Sequence, residues 1–149
     1  MFPDTNIEWG GFPSSIDGLD GPNLELIRGD SYAVRCLVSQ WSNGECIRVS
    51  SVEFGDPAAF FSVEEMIYSM AYAECRNGGT YDGVTYIKET NKSALKAAVE
   101  LADYNDRSVR HFLLVGLSLC MEVVASDGPE VKDHASYEAA MAWAQREAA

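Results

Sequence analysis

Between Ser31 and Trp41 apolar and polar positions alternate, with Val34, Cys36 and Val38 on one side and Arg35 and Ser39 on the other. This is the period of two expected of a strand. Ser42-Asn43-Gly44-Glu45 follows, and its central Asn-Gly suits the two positive-φ positions of a type I′ turn. Residues 45–54 return as the second strand of a hairpin. A two-residue loop sets Val38 opposite Val49, Gln40 opposite Ile47, Trp41 opposite Cys46 and Ser39 opposite Arg48. Val52 and Phe54 then fall on the wrong parity, and a bulge near Ser50-Ser51 is expected to turn them inward. Trp41 is left at the hairpin tip on a mixed face shared with Arg35, Ser39 and Arg48.

Downstream the pattern changes to helical spacing. Ser62-Val63-Glu64-Glu65 reads as a capping box, with Phe61 and Met66 placed for a hydrophobic staple. A first helix is expected from there to the stop at Asn77-Gly78-Gly79. A short strand is expected at Val84–Lys88. A second helix is expected from Asn91 to Asp103, with Leu95, Ala98, Val99 and Ala102 inward. Phe112–Val115 and Leu119–Ala125 read as a second hairpin, the alternative being one long bulged strand, and Glu130–His134 as one short strand. Ser136 caps a last helix from Tyr137 towards Glu147, with Ala140, Met141 and Ala144 inward. The order predicts an α+β fold: a mostly antiparallel sheet built from two hairpins, with about three helices packed on one face. Residues 1–23 show neither period and read as an irregular acidic arm packed on a single domain, 24–149.

Composition narrows the function classes. The 149 residues are 47% hydrophobic and 23% charged, the balance of one globular domain. Eleven Lys and Arg face 23 Asp and Glu, a net charge of −12. Such a surface repels nucleic acid and anionic membranes and favours a basic protein partner. No apolar run reaches the roughly 18–20 residues of a membrane span, and the first residues carry no signal-peptide pattern, so the expected location is cytoplasmic. Cys36, Cys46, Cys75 and Cys120 match no zinc spacing and are expected as free thiols.

No phosphate-cradling loop is present in the sequence. Its two histidines, His111 and His134, would form an acid–base or metal cluster with Glu122 or Asp133 only if the fold brought them together. Ordinary strand-end roles are expected instead, with no catalytic residue, metal or cofactor. Partner contact is expected at Asp4, Glu8, Trp9, Phe12, Asp17 and Asp20 of the arm and at Trp41 of the hairpin tip, carboxylates beside apolar anchors. By class, a small acidic α+β domain of this kind is similar to immunity and antitoxin-type inhibitors. That similarity implies a non-enzymatic protein-binding module that plugs a basic partner such as a nuclease toxin. The alternatives are a small-ligand-binding or enzymatic domain with a site lined by Tyr, His and carboxylates, and a homo-oligomeric structural subunit such as a homodimer.

Overall fold

The computed structural model describes residues 7–64, 85–102, 108–117 and 119–146. Its strands are β1 (Gly10–Gly11), β2 (Asn23–Gly29), β3 (Ala33–Ser42), β4 (Glu45–Gly55), β5 (Pro57–Glu64), β6 (Ile87–Thr90), β7 (Arg110–Val115), β8 (Leu119–Ala125) and β9 (Glu130–His134). Its helices are α1 (Ala94–Ala102) and α2 (Tyr137–Gln145). The strands form two antiparallel sheets, one in the order β1-β6-β7-β8-β5 and the other in the order β2-β3-β4-β9. The fold is therefore mixed and sheet-rich. The single sheet expected from the sequence is two, and the expected three helices are two among the described residues.

Both expected hairpins form. Asn43 and Gly44 have φ of 52° and 77°, as a type I′ turn requires. The register differs from the expected one. Trp41 faces Cys46, but the ladder shifts at once, so that Ser39 faces Val49 and Val38 faces Ser50. The extra residue is Ile47, at the tip, and not Ser50-Ser51. The reason is that both faces of this sheet are covered. The early bulge sends Val52 and Phe54 inward beside Val34, Cys36 and Val38, and sends Val49 to the opposite face beside Leu37. It also moves Arg48 off the face of Trp41 to a place opposite Gln40.

The main core lies between the sheets. Val34, Cys36, Val38, Val52 and Phe54 meet Ile87, Phe112, Leu114, Met121, Val123 and Ala125, with Ile16, Leu19 and Leu24 closing the cluster. Cys36 Sγ and Met121 Sδ touch across it at 3.6 Å. On the outside of the four-stranded sheet, Ala140 and Ala144 of α2 bury against Leu37 and Val49. Ser136 starts α2, its hydroxyl accepting from Ala139 N–H at 3.1 Å. Arg35, 7% exposed, ends it: the guanidinium donates to the Ala144 and Arg146 carbonyls, lies 4.8 Å from the Trp143 ring centroid and meets Glu53 at 2.5 Å. A cation at the negative end of the helix dipole is well placed there.

Three local expectations are corrected. Ser62, Val63 and Glu64 belong to β5 and pair with Met121, Cys120 and Leu119, so the capping-box signal yields to a strand partner far along the chain. The rest of that expected helix, 65–76, lies outside the described residues. The strand expected at Val84–Lys88 runs instead over Ile87–Thr90, where its register is set by Leu114 to His111 of β7. Helix α1 buries none of its residues: Ala98 and Ala102 are exposed, and Leu95 and Val99 half-buried.

Candidate functional site

Alternation along the five-stranded sheet turns one set of residues away from the main core. On β6 this set is Lys88 and Thr90, on β7 His111, Leu113 and Val115, and on β8 Cys120, Glu122 and Val124. Leu113, Val115 and Cys120 pack with Ile7, Trp9 and Val63 in a second cluster. Among them lie four buried polar groups: Lys88 (1% exposed), Thr90, His111 (1%) and Glu122 (3%). Lys88 and Glu122 flank Leu113 in one cross-strand row, so the buried charges stand on the same face.

His111 is held at both ring nitrogens. Nε2 lies 2.6 Å from Glu122 Oε1, and Nδ1 lies 2.7 Å from Ser93 Oγ. With a proton on Nε2 facing the carboxylate, Nδ1 is placed to accept the Ser93 O–H. Ser93 precedes α1 and its oxygen also accepts from Lys96 N–H at 3.0 Å. The hydroxyl is thus oriented from two sides, and the chain Ser93–His111–Glu122 runs from the half-buried start of a helix into the buried sheet. Trp9 stands edge-on to the imidazole, with ring centroids 5.1 Å apart at 78°, and its buried indole N–H has no hydrogen-bond acceptor among the described residues. Chemically the chain is a hydroxyl, a base and an orienting carboxylate in the order that activates a nucleophile.

His134 is elsewhere, on the four-stranded sheet. Its Nε2 meets Ser51 Oγ at 2.8 Å and its ring lies 5.6 Å from Trp143. Burial lowers its pKa below the ordinary histidine value, with Lys132 acting in the same direction. Asp133, weighed as its companion, instead accepts from Ser50 Oγ. Among the described residues no group of three or more His, Cys, Asp or Glu is placed to hold a metal ion.

The described residues expected to contact a partner differ in exposure, and Asp20 N–H donates to Gln40 Oε1 at 3.3 Å, next to Trp41 in sequence. Asp4 lies outside the described residues. Glu8 and Asp20 are exposed, and Asp17 is half-buried, one oxygen accepting from Ser14 N–H at 3.1 Å. Trp9, 5% exposed, points into the second cluster, and Phe12 packs edge-on against Phe112 at 5.5 Å. These two rings are spent inside because residues 7–19 supply part of the two cores, through Ile7, Trp9, Ile16 and Leu19. Trp9 is buried, whereas Phe12 is half-buried.

Trp41 remains at the surface, 45% exposed, and the bulged Ile47 beside it is 57% exposed. Trp41 packs edge-on against Tyr137 at 5.3 Å and donates its indole N–H to Ser39 Oγ at 2.8 Å. Glu45 and Glu138 are exposed at this end, and Glu25 accepts from the Tyr137 hydroxyl at 2.9 Å. Ile47 had no place in the expected surface because the bulge that exposes it was expected elsewhere. Lys88 and Ser93 were missed for another reason: nothing local in the sequence marks either as a neighbour of His111.

No protein-family model, curated protein or solved structure matches the chain.

Proposed function

We propose that this protein is a protein-binding module, an inhibitor of the immunity or antitoxin type, and that it engages a basic protein such as a nuclease. The observation that carries this reading is the β3–β4 tip, where Trp41 and Ile47 are exposed side by side among carboxylates. A rigid aromatic and an aliphatic side chain inside a charged rim have the make-up of a binding hot spot.

Charge supports the choice of partner. The chain carries −12 overall, and four of its cations are held in internal pairs: Arg28–Asp30, Arg35–Glu53, Lys96–Glu100 and Arg110–Glu89. Arg48, the cation next to the tip, donates to the Ser15 carbonyl at 2.5 Å. With a net charge of −12 the field presented to an approaching molecule is negative overall, which steers a basic protein and repels a phosphate backbone. No helix among the described residues is long and apolar enough to cross a membrane. The thiols of Cys36 and Cys46 are free, which supports a reducing, cytoplasmic setting.

The testing experiment is affinity capture on the immobilised protein at low and high salt, with bound proteins identified by mass spectrometry. A protein of basic pI should be retained at low salt by the wild type and lost with Trp41→Ala. Truncating a hot-spot aromatic costs about 2 kcal/mol or more, roughly thirtyfold in Kd. Retention of acidic proteins alone, or equal retention by the variant, overturns the reading.

A further inference from the structure

The Ser93–His111–Glu122 chain lies on the sheet opposite to the hairpin tip and has no part in the docking reading, which neither requires it nor excludes it. We propose that Ser93 is an activated nucleophile for acyl transfer, with His111 as its general base and Glu122 as the residue that positions the base.

Three features carry the proposal. The first is the continuous hydrogen bonding at 2.7 and 2.6 Å, with His111 and Glu122 buried and Ser93 half-buried, so only the reactive end of the chain reaches towards solvent. The second is the place of Ser93 at the start of the nine-residue α1, where the first-turn amides form the positive end of the helix dipole. Negative charge developing on a carbonyl oxygen beside Ser93 would be stabilised there. The third, independent of both, is the buried indole of Trp9, whose ring lies 5.1 Å from the imidazole and whose N–H is a donor without an acceptor among the described residues. A buried donor of this kind costs free energy until an oxygen atom answers it. The neighbouring Leu113, Val115, Val63 and Ile7 are apolar, and the chain's −12 charge disfavours anions, so the substrate class is a neutral carboxylic ester with an apolar acyl group.

In the first half-reaction Ser93 Oγ attacks the ester carbonyl carbon while its proton passes to His111 Nδ1. The imidazolium keeps its Nε2–H on the Glu122 carboxylate. Collapse of the tetrahedral intermediate breaks the bond to the alkoxide, which takes the proton from Nδ1 and leaves as the alcohol. Water then attacks the acyl-serine with Nδ1 again accepting the proton. The acid is released and Ser93 regains its hydroxyl hydrogen.

The test is covalent labelling of the full chain with a tagged fluorophosphonate, in which Ser93 Oγ displaces fluoride from phosphorus. One adduct, mapped to Ser93, is expected on the wild type and none on Ser93→Ala. His111→Gln should label about a hundredfold more slowly, the scale of general-base assistance. Should the buried His111→Gln fail to fold, Glu122→Gln at unchanged circular dichroism is the deciding variant, expected at least tenfold slower. An unlabelled Ser93 after prolonged incubation overturns the proposal. So does labelling of Ser93 at the same rate in wild type and Glu122→Gln, which would make Ser93 an accessible helix cap only.

Discussion

Glu122 Oε1 lies 2.6 Å from His111 Nε2, although the two are not cross-strand partners: Glu122 faces Leu113, and His111 faces Val124. The pair is diagonal on one face of the β7–β8 ladder, a spacing that long side chains bridge. Both side chains are buried, and buried Lys88 stands in the same row as Glu122. Removing the carboxylate leaves the buried His111 Nε2 without its hydrogen-bond partner, which typically costs about 1–3 kcal/mol. Glu122→Ala should therefore lower unfolding free energy by that order in urea titration, and Glu122→Gln by less. A loss below about 1 kcal/mol for Glu122→Ala would show that the pair carries no structural weight.

Gly44 has φ of 77° and open space around its Cα. A side chain there meets no steric obstacle, so any cost is conformational. Gly44→Val should destabilise by roughly 1 kcal/mol or more, because a β-branched residue resists the left-handed region. An unchanged denaturation midpoint would contradict the turn.

The thiols separate by depth. Cys36 and Cys120 are buried, and burial pushes the Cys36 thiol up to about 12. Cys46 is half-buried, and desolvation raises its pKa as well. Native protein at neutral pH should expose no fast-reacting thiol at these three positions. In denaturant without reductant, thiol titration should count all four cysteines of the sequence. A count of two or zero would reveal disulfides.

Tyr137 donates to the Glu25 carboxylate, and partial burial, that hydrogen bond and the neighbouring charge raise the phenol from 10 to about 12. The folded state therefore holds the proton more tightly than the unfolded chain. This contribution to stability is complete below pH 10 and is lost as pH rises towards about 12. Phenolate absorbance should show a late-titrating component in the native protein, and Tyr137→Phe should diminish it. A variant whose titration matches the wild type would contradict the contact.

What could be read from the sequence follows how far each signal reaches. Alternation and turn chemistry located β3, β4, β7 and β8, and Ser136 marked the start of α2 because its cap bond spans three residues. Ser62-Val63-Glu64-Glu65 misled because a capping box is local, whereas β5 is decided by pairing with β8. The position of the bulge was hidden for a related reason: with both faces of the sheet covered, either parity can be inside. The reactive chain joins a helix start and two strands, with Ser93 and His111 separated by 18 residues and His111 and Glu122 by 11. His111 and Glu122 were recognisable as chemistry, but their meeting was not.

The association rate of the captured basic partner, followed against salt, tests the docking account most directly. As the Debye length shrinks from about 10 Å at 0.1 M to about 3 Å at 1 M, a steered encounter loses its advantage. The on-rate should fall about tenfold or more over that range, while Trp41→Ala acts mainly by raising the off-rate. Neutralising Glu45 and Glu138 together should slow association at low salt and leave it nearly unchanged at 1 M. A salt-independent on-rate, or a partner of acidic pI, would contradict the account.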